Sequence, residues 1–156
     1  MIIGIDPGVN GAIAVLDDNL TYCSLWDMPT MALSKSKRQV NGAELAGILR
    51  KISHNGGYLK AYVERAGSMP HQGVASMFNF GVSYGVIQGV LASLSIPMFL
   101  ITSGVWKKRA GLIGKPKDMA RTLAQQLYPQ AELGRKRDVG RADALLIALY
   151  GSGGKR

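Results

Sequence analysis

Ile2-Ile3-Gly4-Ile5 is an apolar run that ends on a carboxylate, Asp6, and the turn-forming string Pro7-Gly8-Val9-Asn10-Gly11 separates it from a second apolar run, Ala12 to Leu16. This pattern predicts a β-hairpin. A further turn at Asp17-Asp18-Asn19 leads into Thr21 to Trp26, so residues 1–27 read as a meander of three antiparallel strands. Met28 to Val40 shows no clear period and carries Pro29 with Lys35, Lys37 and Arg38, which predicts a mobile loop. Asn41 can cap a helix whose apolar positions Leu45, Ile48, Leu49 and Ile52 have helical spacing, and His54-Asn55-Gly56-Gly57 stops it. Tyr58 to Glu64 then reads as a buried strand, again closed by a carboxylate.

Pro70 to Leu94 predicts a long helix, with Gly81, Gly85 and Gly89 at four-residue intervals forming a stripe without side chains. The stripe either rests on the sheet or meets another subunit. Ile96 to Ile101 is a further strand. Thr102-Ser103 can cap a short helix containing Trp106, and two helices follow, from Pro116 to Leu127 and from Arg141 to Tyr150. Residues 1–150 are expected to form a single domain, with 151–156 as a flexible basic tail.

This order predicts an α/β fold: a mixed five-stranded sheet, three antiparallel strands and then two parallel ones, flanked by helices. The first strand then lies between an antiparallel and a parallel neighbour, and the carboxyl ends of strands one and four fall side by side at a switch point. Asp6 and Glu64 occupy those two ends. Neighbouring carboxylates repel unless a cation or proton lies between them, and hard oxygen donors favour magnesium or manganese. Asp143, on the otherwise apolar run Ala142 to Leu149, is a third candidate ligand. Each acid also has a plainer reading: Asp6 as a turn former beside Pro7-Gly8, Glu64 as an ion pair with Arg65, and Asp143 as a favourable charge in the first turn of a helix.

Composition narrows the partner. Nineteen Lys and Arg against ten Asp and Glu leave a net charge of +9 on 156 residues, which favours a polyanion, with nucleic acid ahead of an anionic membrane surface. No stretch is read as the roughly 20 apolar residues that span a bilayer, and no signal sequence is apparent, so a cytoplasmic protein is expected. The lone Cys23 excludes an internal disulfide and a Cys-rich zinc site, and core packing is its expected role. Between Gly104 and Arg141 stand Lys107, Lys108, Arg109, Lys115, Lys117, Arg121, Arg135, Lys136, Arg137 and Arg141, opposed by Asp118, Glu132 and Asp138. Such a segment either holds phosphates or forms a solvated face.

Three motifs carry a family resemblance. Gly4-Ile5-Asp6-Pro7-Gly8, Val63-Glu64 and Arg141-Ala142-Asp143-Ala144-Leu145 resemble, in order and spacing, those of RuvC-type Holliday junction resolvases, most of all the short phage-encoded members. The resemblance implies a ribonuclease H-like fold, a homodimer, a four-way DNA junction as substrate and two divalent metal ions, Mg2+ or its substitute Mn2+, with no small-molecule cofactor. It assigns Asp6 to both metals, Glu64 to one and Asp143 to the other, with hydrolysis leaving a 5′-phosphate. It also gives Lys107, and more loosely Lys115 to Lys117, a part in DNA binding and catalysis.

The chain departs from the better-known pattern at the fourth acid, which there precedes the helical aspartate by three residues; Gly140 stands at that position here. The nearest substitute is Asp138, about 140° away from Asp143 on a continuous helix. It joins the metal site only if the helix starts after it, and otherwise caps that helix or pairs with Arg135 or Arg137. Where other members carry an aromatic wedge, Gly67 stands, which leaves Met69 as a possible base-unstacking residue and His71 as a possible phosphate contact. Two other functions remain open: a ribonuclease H-like hydrolase for RNA/DNA hybrids, and a protein that recognises branched DNA without cutting it.

Overall fold

A computed structural model describes residues 1–35, 37–65, 67 and 73–155. The strands are β1 (Ile2–Asp6), β2 (Ala12–Leu16), β3 (Tyr22–Asp27), β4 (Thr30–Ala32), β5 (Arg38–Val40), β6 (Lys60–Glu64) and β7 (Met98–Ile101). The helices are α1 (Gly42–Gly56), α2 (Val74–Ser93), α3 (Ser103–Arg109), α4 (Asp118–Leu127) and α5 (Val139–Leu146), the last continued by a π-helical turn, Ile147–Gly151. Five strands form one sheet in the order β3-β2-β1-β6-β7, antiparallel from β3 to β1 and parallel from β1 to β7, as the sequence pattern predicts.

Alternation along β1 and β2 divides the core between the two faces of this sheet. Ile3, Ile5, Ile13 and Val15 point to α1 and α2, where Leu45, Leu49, Ile87 and Leu91 cover them. Ala12, Ala14 and Leu16 point the other way, to Trp106, Tyr128, Leu145 and Leu149. The small residues on this second face set the height of α5. A Cβ on Gly4 would lie 2.1 Å from the Ala144 carbonyl oxygen, so the α5 backbone rests directly on β1. This close approach brings Asp143 to the end of β1.

Several expectations need correction. The segment read as a mobile loop contains a two-stranded ribbon, β4 with β5, paired from Thr30↔Val40 to Ala32↔Arg38. Its irregular sequence hides strands because both are only three residues long and β4 is largely exposed. Cys23 is exposed rather than in the core. The C-terminal residues turn back, with the Gly154 amide donating to the Leu149 carbonyl (3.0 Å), so the expected tail is tied down as far as Gly154. Nor does the glycine stripe rest on the sheet: nothing lies within 4 Å of a Cβ built on Gly81, Gly85 or Gly89. Instead α2 packs on α1 and β5 along one side and leaves Val74, Phe78 and these glycines exposed on the other. By length and composition α2 is also apolar enough to cross a membrane, with a mean hydropathy of 1.3, contrary to the expectation that no such stretch exists.

Candidate active site

The register Ile5↔Val63 sets the ends of β1 and β6 together, and so Asp6 beside Glu64. Asp143 enters from α5, which crosses β1 and β2. It stands one turn beyond the helix start at Val139, and the first turn of α5 holds no acid. The helix-dipole explanation therefore does not apply to it. Glu64 has no ion pair with Arg65 among the described residues; its Oε2 accepts a hydrogen bond from Trp106 Nε1 at 3.0 Å. One Asp6 oxygen accepts from the Gly8 amide at 3.3 Å, so the turn-forming reading of Asp6 holds alongside its place in the crevice.

The three carboxylates sense one another. Burial, opposed by the Gly8 amide and reinforced by the charge of Glu64, raises the Asp6 pKa from 3.8 to about 6. Burial, followed by the charge of Asp6, raises that of Asp143 from 3.8 to about 7. Lys107 acts against both shifts, its charge lowering each carboxyl. Asp143 Oδ1 is fully buried and has no hydrogen-bond partner among the described residues. A buried, unsatisfied oxygen amid like charge calls for a cation. Among the described residues no three such side chains close tightly enough to enclose an ion. The crevice nonetheless offers hard oxygen donors of the kind magnesium takes.

Trp106 was not singled out as a site residue by the sequence. Its side chain is fully buried in α3 and orients Glu64, while Lys107 Nζ lies 5.1 Å from the centre of its ring. One residue pair therefore fixes a carboxylate and sets a charge beside it. Lys107, Lys115 and Lys117 meet Asp143 around a cavity of about 290 Å³, so these predicted lysines are brought to the crevice. Lys108 is exposed on α3. Three other basic residues expected to hold DNA have partners within the protein. Arg109 donates to the Tyr150 carbonyl at 2.7 Å, Arg121 to the Leu133 carbonyl at 3.4 Å, and Arg141 pairs with Asp27 at 2.8 Å. Met69 and His71 lie outside the described residues.

Asp138 is turned away from the carboxylate crevice. It is 2% exposed, takes the Arg135 guanidinium at 2.8 Å and accepts from the Arg135 amide at 2.7 Å. Burial disfavours its charge, but the hydrogen bonds and charge of Arg135 outweigh that and hold its pKa below the usual value. Pairing with Arg135, one of its alternatives, is what the structure contains. Gly140 explains why no fourth acid precedes Asp143. A Cβ there would lie 2.4 Å from the Asn10 carbonyl oxygen, 2.9 Å from Gly11 Cα and 3.1 Å from Asp6 Oδ2. The β1–β2 turn fills the space that a side chain would need.

Fold and crevice define a class: a ribonuclease H-like α/β domain with carboxylates converging at the switch point of a mixed sheet. No protein-family model matches the chain. Thermus thermophilus RuvC in complex with a Holliday junction substrate superposes with a TM-score of 0.68 at 17% identity, covering 94% of this chain and 88% of that one. A second Thermus thermophilus RuvC structure gives 0.53, again at 17% identity, over 95% and 90% of the two chains. In sequence, the chain is 30% identical over 151 aligned positions to the chloroplastic Holliday junction resolvase MOC1 of Chlamydomonas reinhardtii. That match covers 83% of this chain and spans 17% of the relative's length. The chain has the fold of the RuvC-type Holliday junction resolvases, and the resemblance read from its three motifs holds.

Proposed function

We propose that the chain is a divalent-metal-dependent endonuclease that cuts four-way DNA junctions and leaves 5′-phosphates at the nicks. The observation that carries this reading is the meeting of Asp6, Glu64 and Asp143 beside Lys107, with one buried Asp143 oxygen lacking a partner among the described residues. Asp6 and Asp143 would hold the ions, with Glu64 completing the set in the orientation that Trp106 gives it. Bound there, two magnesium ions would supply the Lewis acidity that makes water a nucleophile and offsets charge on the leaving 3′ oxygen. Lys107 would place positive charge against the phosphate. The relatives named as junction resolvases favour a branched substrate over an RNA/DNA hybrid.

The test is a cleavage assay on four-way junctions, duplex DNA and RNA/DNA hybrids, with and without magnesium. Preferential, metal-dependent nicking of the junction is expected. Preference for the hybrid would overturn the substrate, and binding without cutting in either Mg2+ or Mn2+ would overturn the enzyme. Lys107→Ala should weaken junction binding and lower the slope of log affinity against log salt by about 1, the share of one phosphate contact. An unaltered slope would remove Lys107 from the DNA surface.

Four-way junctions have paired strands to cut, and a homodimer would present two crevices to them. The exposed face of α2 supports such a dimer, since Val74 and Phe78 supply apolar surface and Gly81, Gly85 and Gly89 admit a second helix closely. Gly85→Leu should fold normally, because open space surrounds the position, yet sediment as a monomer. A wild-type protein that is monomeric at micromolar concentration would contradict the dimer.

A further inference from the structure

On the far side of the β1–β2 turn from the carboxylate crevice lies a second cavity, of about 450 Å³. Arg38, Arg135, Arg137 and Arg141 line it, with Asp27 and Asp138 as the opposing charges. Both acids are already engaged. Asp138 takes Arg135 at 2.8 Å, and Asp27 takes Arg141 at 2.8 Å and reaches Arg135 at 3.7 Å. They fix two guanidinium groups in the wall and leave the cavity with excess positive charge. The other two arginines carry that excess. Arg38, on β5, is steered by a neutral amide, donating to Asn10 Oδ1 at 2.6 Å. Neither Arg38 nor Arg137 has a carboxylate partner among the described residues.

The ligand chemistry follows from the donors. Guanidinium groups present planar pairs of N–H donors that match the oxygens of a phosphate. Asn10 and Gly11 line this cavity, and both backbones press on the Gly140 position, which is itself 3.1 Å from Asp6 Oδ2 by way of a built Cβ. A single turn therefore forms the wall between crevice and cavity. A nucleic-acid backbone with one phosphate in the crevice would pass another close to these arginines. We infer that the cavity between Arg38 and Arg137 binds a backbone phosphate of the nucleic acid other than the one that is cut. This rests on the chain acting on nucleic acid, as proposed above.

Arg38 and Arg137 are both exposed, so Arg38→Ala/Arg137→Ala leaves the core and the Arg135–Asp138 pair intact. In metal-free buffer the double variant should bind a four-way junction about three- to tenfold more weakly, with a salt slope lower by about 1. A junction carrying one uncharged methylphosphonate at successive positions then locates the contact. At one position away from the cut, wild type should lose affinity and the double variant should lose no more. Lys51→Ala, on α1, should match wild type throughout. Unchanged slope and additive losses at every methylphosphonate would overturn this inference alone, with cleavage unaffected. Loss of affinity for inorganic phosphate without any loss for the junction would make the cavity a free-anion site and overturn it too. A wild-type protein that binds neither junction, duplex nor hybrid would overturn both this inference and the proposed function.

Discussion

Asp6→Asn is expected to abolish metal-dependent nicking, by about 10²–10³-fold or more, while leaving junction binding in place and stabilising the metal-free protein. The two effects have one origin. Asp6 is buried beside Glu64, and its pKa is raised from 3.8 to about 6. At Asp6 the folded state therefore holds a proton more tightly than the unfolded chain, so the contribution of this residue to stability is most favourable below about pH 4 and is lost as pH rises through about 6. Asp143, raised to about 7, extends the loss toward neutrality. For Asp6 alone the penalty above pH 7 is at most about 3 kcal/mol, the free-energy equivalent of a rise from 3.8 to about 6.

Asparagine removes that charge without changing the shape of the side chain. Melting curves of wild type and Asp6→Asn should thus converge near pH 4 and diverge by several degrees at pH 8, the variant being the more stable. Magnesium should reverse the order at pH 8, because an ion bound only by the folded wild type stabilises it by mass action. Curves that stay parallel from pH 4 to 8, with no response to magnesium, would show that Asp6 neither carries this penalty of buried charge nor serves a cation. Nicking retained by the variant would sink the proposed mechanism.

The sheet order and the Asp6–Glu64 crevice were legible because both follow from rules local to strands: alternation, turn residues, and a switch point fixed by connection order. Asp143 was legible as a charge on an apolar helix. Trp106 was not, since its bond to Glu64 joins residues 42 apart in sequence and only packing under the sheet aligns them. The orientation of the glycine stripe escaped for another reason. Glycine has no side chain whose polarity would mark a face as inner or outer, so spacing alone leaves its partner undetermined. For Arg109, Arg121 and Arg141, charge alone could not show that at least one guanidinium donor of each is held by a backbone carbonyl or an acid within the fold.

Gly140 shows how a missing ligand can be a packing requirement. If the turn occupies the space of a fourth acid, restoring that acid should harm the protein rather than improve the site. Gly140→Asp would drive a Cβ to 2.4 Å from the Asn10 carbonyl and 2.9 Å from Gly11 Cα, both backbone atoms that yield only if the turn moves. Overpacking of this kind costs about 1–3 kcal/mol and sometimes more, or roughly 2–12 °C in a domain of this size. Gly140→Ala should show nearly the same loss, because the Cβ is common to both, and Gly140→Asp adds a charge beside Asp6. Gly47→Ala, on α1 with nothing within 4 Å, provides the opposite control, gaining up to about 1 kcal/mol from helix propensity. Displacing the turn also shifts Asp6, so nicking should fall in both Gly140 variants. A Gly140→Asp protein that melts like wild type and cuts faster would mean that the turn gives way at little cost and that a fourth carboxylate belongs in the site.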